Sequence, residues 1–152
     1  MEEDVQKCKE LVFEFANALN DWQCRAYVVN RIVNGQFVSD KKRASLTGYT
    51  WDRIVEEHFQ LFSRFTRLDD SEWGTVPGKP VSFPNTGDFE GVDASQIAEA
   101  NIVKGICEIV ANWKYRSEDK VKFTLKNCDD RWLITRLSKW DDASAKWVRI
   151  LL

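Results

Sequence analysis

The chain of 152 residues is poor in several residue types: it has one His, three Pro, seven Gly and one Met. So little Pro and Gly excludes a collagen-like or low-complexity chain. One histidine and four scattered cysteines without a CxxC pair form a poor ligand set for zinc, so we expect no metal. No apolar run reaches about 18 residues, so the sequence predicts no transmembrane helix.

Charge and hydrophobicity are those of a folded protein. With 43% hydrophobic and 30% charged residues, the chain is not expected to be disordered. A net charge of −2 excludes a generally basic nucleic-acid-binding protein, though not a local basic face. The length predicts a single domain spanning residues 1–152. The N-terminal Met-Glu-Glu-Asp lacks the features of a signal peptide, so we expect a cytoplasmic protein with free cysteines.

Two helices are predicted in the first half of the chain. Apolar residues recur at helical spacing and predict a long helix over residues 3–32. A second helix, with an apolar stripe, begins at Thr50, which is a good N-cap, and Asp52 in its first turn suits the helix dipole. Residues 39–43 between the helices are predicted to form a polar connector.

The second half of the chain is predicted to be β-structure. Residues 72–95 contain all three Pro and read as a loop with one short strand at residues 81–83. Alternating apolar and polar residues then predict an antiparallel meander with tight polar turns. Its three long strands and final short strand lie at residues 107–115, 121–126, 132–140 and 147–152. Helices followed by an antiparallel sheet predict an α+β fold.

Two stretches resemble a known family. Residues 121–140, with Asp129-Asp130 followed by Arg131-Trp132, are similar to the last long hairpin of nuclear transport factor 2-like proteins. Residues 13–22, ending in Trp22, resemble the first helix of the small bacterial immunity proteins of that fold. The resemblance implies a cone-shaped, strongly bent antiparallel sheet covered by N-terminal helices (also described as cystatin-like). It also implies a non-enzymatic immunity protein that neutralises a cognate bacterial toxin by occlusion.

The same fold also hosts enzymes, so fold alone does not decide function. His58 lies on the apolar stripe of the second helix, and with Trp22 and Trp113 we expect it to line a pocket in the cone. A histidine there suits general-base catalysis, and the alternative is a buried histidine that is hydrogen-bonded to a neighbour. The alternative function is a small-molecule-binding protein or an isomerase- or dehydratase-type enzyme.

No catalytic motif supports that alternative. The sequence has no GxSxG, HExxH, P-loop or dinucleotide-binding motif, and its carboxylates are not arranged as a catalytic pair. We therefore predict no catalytic residue, no enzyme activity and no cofactor.

The strand over residues 132–140 suggests a binding surface. Regular alternation places Trp132, Arg136 and Trp140 on one, solvent-facing side. Leu133, Thr135 and Leu137 then face the helices. Trp and Arg are enriched among residues that dominate interface energetics, so we expect a protein partner here, either the toxin or a second copy of the chain.

Two further expectations concern that partner. From residue 120 onward the chain carries eight basic and four acidic residues, which suits an acidic partner. Neither nucleic acid nor a membrane is expected to bind.

The alternative to a binding surface on this strand is that Trp147 and the terminal Leu151 and Leu152 fold over the face and cover it.

Overall fold

The computed structural model describes residues 2–67, 77–80, 83–84 and 87–150. In these ranges three helices precede all of the strands, which confirms the predicted α+β class. The helices are α1 (Glu2–Val33), α2 (Asp40–Ser45) and α3 (Trp51–Phe65). The strands are β1 (Phe89–Glu90), β2 (Ile97–Val103), β3 (Ile106–Ala111), β4 (Lys114–Tyr115), β5 (Val121–Cys128), β6 (Arg131–Asp141) and β7 (Lys146–Arg149). None of the described helices has the length and apolarity needed to cross a membrane.

Five strands form an antiparallel sheet in the spatial order β2-β3-β5-β6-β7. In the described part of the chain β2 and β7 are its two edges, so the sheet is open and forms no closed barrel. The short strands β1 and β4 pair with each other in a separate ladder. That pairing corrects the prediction of one continuous strand over residues 107–115, because the chain leaves the large sheet after Ala111.

Both long helices lie where the sequence predicts them. Glu2, Glu3 and Asp4 stand in the first turn of α1, where negative charge suits the helix dipole. The chain leaves α1 through Gly35, whose φ of 68° is a left-handed conformation that glycine adopts without strain. Thr50 caps α3 by accepting a hydrogen bond from the backbone N–H of Arg53 at 3.2 Å.

Residues 39–43, predicted to be a connector, are mostly helical. Ser39 is the N-cap of α2 and accepts a hydrogen bond from the backbone N–H of Lys42 at 3.4 Å. No residue of α2 is buried, so the apolar periodicity that reveals a packed helix is missing there. The strand predicted at residues 81–83 lies partly outside the described residues, because positions 81 and 82 are not described.

The core lies between α1, α3 and one face of the sheet. Phe15 of α1 is fully buried and contacts Phe62 and Phe65 of α3 and Phe123 of β5 at ring-centroid distances of 5.7 to 6.4 Å. All three contacts have the edge-to-face geometry that aromatic pairs favour. The four cysteines are free, as predicted, and two of them, Cys8 and Cys107, are fully buried.

A β-bulge in β6 changes which side chains face the helices. Thr124 of β5 pairs with Arg136, and the next residue, Leu125, pairs with Ile134, so Thr135 is an extra residue on β6. Its hydroxyl donates a hydrogen bond to the carbonyl oxygen of Thr124 at 3.2 Å. The bulge interrupts the alternation on which the predicted face of this strand depends.

The prediction that Trp132, Arg136 and Trp140 lie on one face of β6 is therefore wrong in part. The core-facing residues are Trp132, Ile134 and Leu137, which are 8%, 0% and 1% exposed. Their spacing is two residues and then three, because the bulge falls between the last two. Trp132 lies on the helix side, while Arg136 and Trp140 lie on the opposite side of the sheet.

Candidate functional site

The face of β3, β5, β6 and β7 that points away from the helices, here called the outer sheet face, holds a shallow groove of about 590 Å³. Its lining is rich in basic and hydroxyl side chains and comprises Ile106, Glu108, Lys122, Thr124, Lys126, Thr135, Arg136, Ser138, Trp147 and Arg149. These residues share a face because opposed residues of paired strands point to the same side. The groove therefore presents four basic side chains and one carboxylate.

Two tryptophans lie together on the outer sheet face. Trp140 of β6 is directly opposite Trp147 of β7, and their rings meet edge to face at 5.4 Å. The turn that joins the two strands is held by Asp141, which accepts hydrogen bonds from the Ser144 hydroxyl at 2.7 Å and the Ala143 N–H at 3.2 Å. Both indoles remain partly exposed. The β6–β7 hairpin thus presents a fixed aromatic pair at the edge of the sheet.

Lysine ammonium groups lie over both rings of this pair. The Lys120 Nζ is 5.6 Å from the ring centroid of Trp140, and the Lys122 Nζ is 4.9 Å from that of Trp147. These distances are in the cation–π range. Lys122 also forms an ion pair with Glu108 at 3.5 Å. Aromatic and positive groups are therefore interleaved on this face.

The fold places the three residues predicted to bind a partner on two opposite faces of the sheet. Arg136 and Trp140 belong to the outer sheet face, whereas the Trp132 indole N–H points at the Asp4 carboxylate of α1, 3.5 Å away. Trp147 contacts Trp140 from the neighbouring strand on the same face, and positions 151 and 152 lie outside the described residues, so the alternative of a covering C-terminal segment is not tested. Trp147 was not predicted to belong to this surface. Its position two residues before the basic Arg149 places both side chains on one face of β7.

His58 occupies a closed environment rather than a pocket wall. It is 3% exposed, and its Nδ1 accepts a hydrogen bond from the backbone N–H of Gly78 at 2.9 Å. Its ring packs between Trp22 and Phe62, with centroids at 4.8 and 4.7 Å. Burial lowers the pKa of His58 from 6.5 to about 4, so the ring is neutral at neutral pH. This environment is unfavourable for a general base.

The pocket predicted around Trp22, His58 and Trp113 is not formed by the described residues. The Trp22 indole N–H donates to the carbonyl oxygen of Ile54 at 2.9 Å, and Trp22 lines a surface groove between α1 and α3 that neither His58 nor Trp113 lines. Trp113 is fully buried and donates to the carbonyl oxygen of Asp93 at 2.9 Å. The structure brings Trp22 and His58 together and places Trp113 elsewhere in the core.

A buried polar cluster, which the sequence analysis did not predict, holds the loop before β1 against α1 by hydrogen bonds. The Asp88 carboxylate accepts hydrogen bonds from the Gln23 side chain at 2.7 Å and from Arg116 Nε at 3.2 Å. Burial, together with the nearby Asp88 charge, raises the pKa of Tyr115 to about 12. Asp88 and Gln23 are each 2% exposed, so their polar atoms are used inside the protein. Among the described residues, the Asp88 carboxylate is enclosed, while the Arg116 side chain reaches the surface.

A second depression, of about 730 Å³, lies between the start of α1, the end of α3 and the β5–β6 turn. Two of its charged side chains pair with each other, and a third is held by backbone carbonyl groups. Arg64 pairs with Glu14 at 3.1 Å, and Arg131 donates to the carbonyl oxygens of Ser63 and Arg64 at the end of α3. We therefore assign the candidate site to the outer sheet face.

Within the described residues, no three His, Cys, Asp or Glu side chains are grouped as a metal site requires. Comparison with known proteins yields no match, because no family model, curated protein or solved structure is significantly similar to this chain. The fold and site therefore define an α+β protein with an open antiparallel sheet and a basic, aromatic outer sheet face. Its family stays a prediction.

Proposed function

We propose that the chain is a non-enzymatic binding protein that holds another protein against its outer sheet face. The observation that carries this proposal is the Trp140–Trp147 pair, two partly exposed indoles fixed in edge-to-face contact on an open sheet. Large aromatic side chains beside basic groups are the composition of interface hot spots. Apolar surface of this kind marks interaction sites in folded proteins.

The class of partner follows from the sequence resemblance. Residues 13–22 resemble the first helix of bacterial immunity proteins, so the proposed partner is a cognate toxin that is neutralised by occlusion. The nuclear transport factor 2-like cone belongs to the same proposal. It is supported by the order of helices and strands and by the two bulges in the sheet, at Ile97–Glu99 and opposite Thr124.

An activity centred on His58 is the alternative function. It receives no support from the described residues, because His58 is enclosed by Trp22 and Phe62 and its Nδ1 is occupied by Gly78. A wide polar cavity around His58 would have favoured an enzyme. The closed apolar surroundings favour the binding protein.

The test is to mix the purified protein with the product of the neighbouring toxin gene. We expect a one-to-one complex by size-exclusion chromatography and loss of toxin activity at equimolar ratio. Phe37→Ala is the matched control for Trp140→Ala, because Phe37 is an aromatic residue that is 82% exposed elsewhere on the molecule. A fully active toxin with no complex would overturn the proposal, and equal effects of the two variants would remove the outer sheet face from it.

A further inference from the structure

The charge on the outer sheet face is strongly one-sided. Lys122, Lys126, Arg136 and Arg149 line its groove, and Glu108 is the single carboxylate in that lining. Glu108 stands on β3 at one end of the groove and is paired with Lys122. The whole protein has a net charge of −2, so this concentration of positive charge is local. A local field of this kind steers and orients a partner of opposite sign.

The aromatic pair distinguishes between two kinds of negatively charged partner. Single-stranded nucleic acids bind by stacking their bases on open aromatic faces. Here the faces of Trp140 and Trp147 already carry the ammonium groups of Lys120 and Lys122, and the two rings also contact each other. Bases would have to displace these ammonium groups, whereas carboxylates can bind the same groups where they lie. The arrangement favours a polypeptide over a nucleic acid.

We infer that the outer sheet face binds an acidic segment of a protein partner, with Asp or Glu carboxylates meeting Lys122, Lys126 and Arg149. This inference rests on the proposed function and names the chemistry of the partner. The groove crosses four strands, or about 14 Å, which about five residues of extended chain span. A hexaglutamate peptide is therefore a sufficient probe.

The experiment is a titration of the full chain with hexaglutamate, followed by the indole N–H signals of Trp140 and Trp147 in NMR spectra. Trp140→Phe and Trp147→Phe assign the two signals. We expect both to shift, and we expect affinity to fall about tenfold or more when salt is raised towards 0.5 M, because exposed charges are then screened. Hexalysine is expected to leave both signals unchanged.

Two variants with equal charge changes separate a built site from general attraction. Lys126→Glu with Arg149→Glu reverses two exposed charges on the outer sheet face. Lys41→Glu with Arg43→Glu reverses two exposed charges on α2. We expect the first pair to weaken hexaglutamate binding about tenfold or more and the second less than about twofold, with melting temperatures confirming that both remain folded.

Several outcomes overturn the inference. Absent shifts, shifts confined to other residues, or equal losses in the two double variants would each reject a site for acidic segments. Tighter binding of hexathymidylate at the same indoles would assign the face to nucleic acid. If hexaglutamate does not bind but toxin binding still depends on Trp140, only the inference of an acidic segment is rejected. The proposed function then stands.

Discussion

Trp132 and Trp140 lie on the same strand but on opposite faces of the sheet, and they do different things there. Trp132 is 8% exposed and joins the core beneath α1, with its indole N–H directed at Asp4. Trp140 stays partly exposed and contacts another tryptophan and a lysine. Identical side chains on one strand thus serve packing in one case and a surface in the other.

One extra residue produces this difference. Without the bulge at Thr135, strict alternation would carry every second residue from Trp132 to Trp140 onto the same face. With it, Leu137 remains in the core and Arg136 points outward. The lesson is that the face of a strand residue depends on the register of its partner strand as well as on its own sequence.

The largest expected difference between the two faces is in the free energy of unfolding. Phe123→Ala removes a fully buried ring that contacts Phe15, Phe89 and Trp113. We expect a loss of about 3–5 kcal/mol, because a buried cavity replaces the ring. Urea unfolding followed by circular dichroism measures it.

The matched control for that variant is Thr124→Ala, one residue further along β5 on the outer sheet face. We expect its change to stay within about 0.5 kcal/mol, the usual range for surface substitutions. Similar losses in the two variants would show that the outer sheet face is also packed.

His58 is expected to make the free energy of unfolding depend on pH. Its pKa in the folded protein is about 4, below the ordinary value of 6.5, because the ring is buried. As pH falls, the unfolded chain takes up the proton first, so stability is full above about 6.5 and is lost progressively down to about 4. The expected loss is on the order of 3 kcal/mol.

The measurement compares the parent protein with His58→Gln, which has no proton to take up at this position. The difference between their free energies of unfolding should shrink by on the order of 3 kcal/mol between pH 7 and pH 4. A difference that stays constant with pH would mean that His58 is accessible to water in the folded protein.

The parts of the fold that the sequence predicted are those with a local signal. The spacing of apolar residues and the cap at Thr50 give α1 and α3, because helix periodicity and capping involve only near neighbours. The bulge at Thr135 involves a second strand, and the hydrogen bond from Gln23 to Asp88 joins residues that are 65 positions apart. Contacts of this kind leave no pattern in a single sequence, so the site was predicted only in part.

The two tryptophans of β6 are expected to differ in their effect on toxin affinity. Trp140→Ala should weaken toxin binding by about 2 kcal/mol, or about 30-fold, because a large aromatic side chain of the proposed interface is removed. Trp132→Ala should leave the affinity of the folded protein unchanged but lower its free energy of unfolding by about 3–5 kcal/mol. Isothermal titration calorimetry and urea unfolding measure the two quantities.

The opposite pattern would contradict the division between the faces. If Trp140→Ala lowers stability as much as Trp132→Ala and leaves affinity unchanged, Trp140 belongs to the core. In that case the contact with Trp147 is structural packing, and the interface proposal is withdrawn.

The smallest expected effect concerns Lys122, whose ammonium group lies over Trp147 and pairs with Glu108. Lys122→Met keeps the aliphatic chain against the indole and removes the charge. We expect unfolding free energy to change by about 1 kcal/mol or less, because a partly exposed ion pair and a cation–π contact near the surface are each worth about that much. Hexaglutamate affinity should fall more than stability does, since the lost charge is one that meets the acidic segment. A large loss of stability with unchanged affinity would mean that the basic groups on this face exist to hold the sheet together.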